Sequence, residues 1–450
     1  MTKASKGILR VPRRRILALC AGASFAISAT ATASTLLVTS CADDNSAGTL
    51  RSQVAAAGTG DTIDLSQLTC SKITLTNGQV VIAQNDLTLL GAMQAATIRL
   101  DAIHGSRVLQ HLGTGTVTID SLTLMNGSYA TYGFATGGCV FSEGNVSLDH
   151  SVVTGCEVHT KGNCIDDAAG GGIYAKSSVS LVASVVSNNQ AKSSNGVHNF
   201  GGGIFAGDGF TARNSTISHN DAPFGCEYGR GGGIVGSGPL LIESSTIDDN
   251  SAMYAGGMSF RATTGLITNS TMSSNTGWSA MVELSGDAVT IANSTIAATP
   301  GSMWGLFFSG RAPSSGQLTL QSNILSGSAF DDLRINASYT TLVGTDNLVM
   351  QTTVAAPPPG MITVTADPLL GPLQNNGGPT LTHALLPGSP AIGAGNNSAV
   401  LMFDQRGAGY PRSANSGITD IGAFQTEGIF ADDFERVGFD FDKIFVDGFE

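Results

Sequence analysis

The sequence predicts an all-β fold, a parallel β-solenoid of about ten stacked coils with an N-terminal cap and an irregular C-terminal module. Three observations predict it. One phrase recurs: "GGGIYAKSSVSLVASVVSNN" from Gly170, "GGGIFAGDGFTARNSTISHN" from Gly201, "GGGIVGSGPLLIESSTIDDN" from Gly231 and "GGMSFRATTGLITNSTMSSN" from Gly256. Its apolar anchors, Val153, Val186, Ile217, Ile247, Met272, Ile296 and Ile324, are spaced by 33, 31, 30, 25, 24 and 28 residues, a period near two dozen with loop insertions in the earlier copies. Finally, only 12% of the 450 residues are charged while 58 are glycine, which suits short, turn-punctuated strands better than salt-bridged helices.

The elements follow in chain order. Residues 1–33 read as an export signal: Lys3, Lys6, Arg10 and Arg13, Arg14 and Arg15 precede an apolar run from Ile16, and small residues lead to Ala31 and Ala33, where cleavage is expected. Residues 34–135 supply the cap and the first irregular coils, since an uncovered terminal coil would leave unpaired strand edges. Residues 136–345 hold the regular repeats. A single copy buries only one face of its strands, so stacking is what folds it, and a coil rise of about 4.8 Å gives a rod on the order of 50 Å. "AAPPPG" at 355–360 breaks any strand, and a Pro- and Gly-rich module occupies 346–427. The tail, 428–450, repeats an acidic aromatic heptad as "IFADDFE" and "IFVDGFE".

Charge and cysteine content bound the setting. Loss of the signal leaves 16 basic residues against 34 acidic ones, which opposes nucleic acid, anionic lipid and, unless a metal intervenes, acidic polysaccharide. Six cysteines then remain, Cys41, Cys70, Cys139, Cys156, Cys164 and Cys226, an even number that reads as disulfides in an exported chain. Fifteen pairings are open, and Cys41 with Cys70 is the first choice because they bracket one N-terminal segment.

Candidate chemistry is sparse. The triple glycines enter strands after turns, and no helix-period pattern follows them, so they do not form a phosphate-binding loop. Asn189, Asn220, Asn250 and Asn275 keep one slot of the repeat and are expected to form a structural ladder, with Cys156 in that slot of an earlier copy. Asp248 and Asp249 fall in the variable slots before Asn250 and are the candidate catalytic carboxylates, with Glu243, Asp208 or Glu283 as possible partners from neighbouring coils. Arg230, Arg261 and Arg334 are scattered candidates for a basic group. The seven histidines show no metal-ligand spacing and read as exposed turn residues, so neither metal nor cofactor is expected. Asn-Ser-Thr at 214, 269 and 293 belongs to the repeat.

The Gly-Gly-Gly-Ile starts and Ser-Thr-Ile-x-x-Asn ends resemble the right-handed parallel β-helices of bacterial surface proteins, including the polymorphic outer-membrane protein repeats. The stretch 40–82 resembles the segment that opens such exported helices. Residues 367–424, with "DPLLGPLQNNGGPTLTHALLPGSPAIGAG", "DQRG" and "DIGAFQ", are similar to the choice-of-anchor Q domain. The resemblance implies a secreted or surface-attached protein, with the tail as a device read by export or sorting machinery. The expected function is a non-catalytic scaffold for adhesion or for contact with carbohydrate or another surface protein. The alternative is a polysaccharide lyase or glycoside hydrolase with a groove across residues 200–310, although the Asn-Thr-Asp and Gly-His-Gly signatures expected of pectin hydrolases are absent.

Overall fold

Alternating β-branched and polar residues make the chain wind rather than fold back, since each short strand finds its hydrogen-bond partner one coil away. The computed structural model describes residues 1–2 and 33–426, apart from 93–97, 162–165, 194–197, 224–227, 312, 314, 356, 358–359, 365–366 and 414–417. The chain divides into residues 1–32 and residues 33–450, and the architecture below is that of the second unit. Residues 3–32 of the expected signal, Cys164, Cys226 and the tail lie outside the described residues.

Two parallel sheets carry the solenoid. A front sheet of 19 strands receives two strands from most coils, such as Ile173–Ala175 and Val179–Val182, and a back sheet of 12 strands receives one, such as Val185–Ser187. Like stacks on like across the coils. In the back sheet Val153, Val186, Ile217, Ile247, Met272 and Ile296 lie in register, and the column continues to Leu325 rather than to the expected Ile324. Ile324 pairs with Thr295, the outward position, because Asn323 takes the place of the turn serine Ser294. All of the inward anchors are at most 1% exposed, and each such side chain contributes about 1.5–3 kcal/mol by leaving water. Volume is balanced locally: Phe210 replaces Val179 in its column while Ala212, two residues on, replaces Leu181. Likewise Phe260 fills the space over Gly236, where a Cβ would lie 2.5 Å from its ring.

Among the described residues the longer early periods are not irregular throughout. Their extra residues form two further parallel ladders: Ser128–Thr131, Glu157–Thr160, Gln190–Ser193, Asp221–Ala222 and Ser251–Ala252 in one, and Ala135–Thr136, Ala168–Ala169, His198–Phe200 and Tyr228–Arg230 in the other. Inserts of similar length on successive coils pair with one another, and Ala135, Val158, Ala168 and Ala191 close a small apolar core between them.

Two elements cover the solenoid. A short helix, Leu50–Ala56, capped by the Thr49 side chain, buries Leu50 and Val54 near the first coils. Residues 367–426 lie back along the outer face of the back sheet. There Leu385, Ala391 and Ile421 pack on Ile324 and Leu348, and an antiparallel pair, Leu370–Gln374 with Thr382–Leu385, is the main regular structure.

Candidate functional site

Turn chemistry accounts for most of the repeated polar residues. Each ladder Asn follows a residue in the left-handed region, Asn188, His219, Asp249 and Ser274 at φ of 52–57°. Its side chain then turns inward. The Asn189 Nδ2 donates to Asn220 Oδ1, Asn220 to Asn250 and Asn250 to Asn275, each at 2.9 Å, and each Nδ2 also donates to a strand carbonyl one coil earlier. The Cys156 amide donates to Asn189 Oδ1 at 3.0 Å, so the ladder ends on the half-cystine. A serine ladder, not read from the sequence, runs along the turn between the two sheets: the amides of Ser151, Ser184, Ser215, Ser245 and Ser270 donate to the Oγ of the next serine at 3.1–3.2 Å. Asn214, Asn269 and Asn293 precede three of these serines at φ of 47–48°, a conformation that asparagine tolerates. The signal for this ladder was the Ser that opens each Ser-Thr/Val-apolar phrase of the repeat.

Cys41 is bonded to Cys70, and Cys139 to Cys156. Four histidines, His111, His159, His198 and His383, depart from the exposed-turn expectation and lie in strands. His111 is fully buried, with Nε2 against the carbonyls of Gln84 and Asn85 and Nδ1 at 2.7 Å from Ser142 Oγ. His383 donates from Nδ1 to the Gly371 carbonyl and accepts at Nε2 from Ser273 Oγ at 2.8 Å, and burial holds its pKa below the usual value. Among the described residues no three His, Cys, Asp or Glu side chains converge as metal ligands do.

The structure separates the candidate carboxylates. Asp248 ends the back-sheet strand Thr246–Asp248, is 7% exposed and has an unpartnered Oδ1, and burial pushes its pKa up to about 6. Asp249 occupies the exposed turn and meets His219 Nε2 at 3.0 Å. Glu243 is paired to Arg213 at 3.0 Å on the front sheet, and Glu283 lies in another front-sheet strand, Ala280–Ala292. None of these faces Asp248 across a groove, because the two sheets present different faces of the rod.

A groove opens instead on the outer face of the front sheet. The outward column Phe205, Val235, Ser259, Glu283, Phe307 dips where its residues are small, and the parallel column Ser237, Arg261, Ser285, Ser309 is serine apart from Arg261. The result is a cavity of about 330 Å³ bordered by Phe200, Phe205 and Arg230, and a second of about 440 Å³ bordered by Arg311, Asn336 and Tyr339. Arg261 and Ser285 stand in the walls of both. Arg230 reaches Glu283 at 3.5 Å. Sequence reasoning named Arg230, Arg261 and Glu283 without bringing them together, and missed Arg311 and Tyr339. Trp278 is 63% exposed beside Tyr254, with ring centres 6.4 Å apart, and Trp304 lies tilted beside Phe307, with ring centres 5.3 Å apart; neither tryptophan lines the cavities.

The C-terminal motifs act as fasteners. In "DQRG", Arg406 pairs with Asp404 at 2.8 Å between the rings of Tyr410 and Phe424, while Gln405 binds Thr246 and Thr271 of the back sheet. Fully buried Arg412 donates to the carbonyls of Gly422 and Ala423 and to Asn269 Oδ1, and burial lowers its pKa to about 10.

No family model matches the chain, and no curated protein does. The resemblances of residues 40–425 therefore rest on their motifs. Among solved structures, the crystal structure of a pectate lyase, Pel9A, is similar at a TM-score of 0.40 and 13% identity, over 88% of this chain and 98% of that one.

Proposed function

We propose that the protein is an exported, non-catalytic β-solenoid that holds an extended glycan along the front-sheet groove. The groove itself carries this reading. It runs along the rod, its floor is hydroxyl-rich, and its ends are aromatic, the combination of apolar platform and polar edge that a sugar ring presents in return. Hydrolysis requires two carboxylates facing one sugar. Among the described residues lining the groove Glu283 is the lone carboxylate, and Arg230 holds it. Two disulfides fit an oxidising compartment, and among the described residues no helix is long and apolar enough to cross a membrane.

A glycan array with the purified protein, followed by an assay for chain shortening on every hit, tests the reading. Binding without shortening is expected, and Ser285→Trp, which places a bulky ring where the two cavities meet, abolishes it. Shortening of a hit, or an array without hits, overturns it. In the same reading the fastened C-terminal module and the repeated acidic heptad of residues 428–450 attach the rod to the surface through sorting machinery. Deletion of 428–450 then releases the protein from the cells, and unchanged localisation would sink this part.

A further inference from the structure

The chain's overall charge argues against an acidic ligand, yet the groove departs from that average. Three arginines, Arg230, Arg261 and Arg311, border its two cavities, against one carboxylate, Glu283. Arg230 is engaged by Glu283. Arg261 and Arg311 are exposed, and among the described residues neither makes a hydrogen bond or an ion pair, Glu283 being held by Arg230. Acidic residues outnumber basic ones 34 to 22 in the chain, so two unneutralised guanidinium groups in one groove mark a local reversal of sign.

The placement is regular as well. Arg261 shares its column with Ser285 and Ser309, and Arg311 follows Ser309 by two residues. The two arginines are thus separated along the rod by two coil rises, about 10 Å, close to the length of a disaccharide. A guanidinium presents a planar fork of donors that matches a carboxylate or a sulfate with two parallel hydrogen bonds. Concave, low-dielectric walls focus its field toward such a group.

We infer that the groove selects an acidic glycan, one bearing carboxylate or sulfate on at least every second sugar, with its anionic groups on Arg261 and Arg311 and its rings over Phe205 and Tyr339. This rests on the glycan reading above and gives its ligand class. No metal is needed to bridge like charges, because the local field already has the sign the ligand requires.

The test titrates the full chain with two matched pairs of polymers, alginate against carboxyl-reduced alginate and dextran sulfate against dextran. At least one acidic member should bind at least about tenfold tighter than its neutral counterpart, and added salt should weaken it. The pair that shows the difference identifies carboxylate or sulfate as the recognised group. Arg261→Ser, which restores the serine of the neighbouring coils, combined with Arg311→Ser, should remove most of that difference and flatten the salt dependence. The exposed Arg213→Ser, paired with Glu243 outside the groove, should leave it intact. Equal binding of acidic and neutral members, or acidic binding unchanged in the double variant, overturns the inference while the glycan reading stands. Binding of none of the four, together with an array without hits, overturns both. Circular dichroism of each variant confirms that the solenoid is formed.

Discussion

At the residue scale, Asp248 shows how one position of a repeat acquires a different physics. Its counterparts are Ser187, Ser218 and Ser273, small hydroxyls that tolerate cover. A carboxylate there is driven by burial to a pKa of about 6, with His219 opposing the shift and Asp249 adding to it. Well below pH 4 the group is protonated whether or not the chain is folded, so it costs nothing. As pH rises through 4 toward 6 the unfolded chain releases the proton more readily, and stability falls by up to about 3 kcal/mol. Asp248→Asn should therefore raise the melting temperature at pH 7.5 and leave it nearly unchanged at about pH 3. An equal shift at both values in paired thermal melts would show that the substitution acts through packing instead.

At the element scale, the fastened C-terminal module depends on close approach. Gly422 has φ of +99°, and a Cβ there would lie 2.7 Å from Ile324 Cδ1 and 2.9 Å from Thr295 Oγ1. Its amide donates to the Ser322 carbonyl at 2.8 Å, and that of Ala423 to Thr295 Oγ1 at 3.0 Å. Gly422→Ala should loosen the module by on the order of 2 kcal/mol, through strain and lost contact together. Hydrogen exchange then speeds up across residues 367–426 while the inward columns of the two sheets keep their protection. Uniform protection across both would refute the close-approach argument. The two lateral ladders make the same point about legibility. In sequence they were irregular insertions, because two- to four-residue strands carry too little alternation to be read. They become strands only because the coils above and below offer matching edges.

At the scale of the whole molecule, a solenoid is a chain of nearest-neighbour interfaces, so stability is distributed and perturbations stay local. The Cys41–Cys70 disulfide spans 29 residues, and a loop of that size contributes about 3–4 kcal/mol by restricting the unfolded chain. Replacing both cysteines by serine should release the first coils, with faster hydrogen exchange confined to the N-terminal part of the rod. A loss of protection that reaches residues 280–350 would show that the rod unfolds as one cooperative unit instead.

The sequence by itself determined the winding. The Gly-rich starts, the inward columns from Val153 to Ile296 and the Asn slot are properties of one repeat read several times, and stacking identical units leaves little freedom in register. It also held the two disulfide partners nearest the N-terminus and the motifs of the C-terminal module. Only the tertiary structure decided what the faces carry. Arg230, Arg261 and Arg311 lie up to 81 positions apart in the chain and border one groove because a lateral-ladder strand runs beside outward positions of successive coils. Asp248 and Asp249, adjacent in sequence, are parted by a turn that buries one and exposes the other. A period fixes which residues point outward. Which of them then meet, and what covers them, depends on coil lengths, inserted ladders and a distant C-terminal segment that no single repeat encodes.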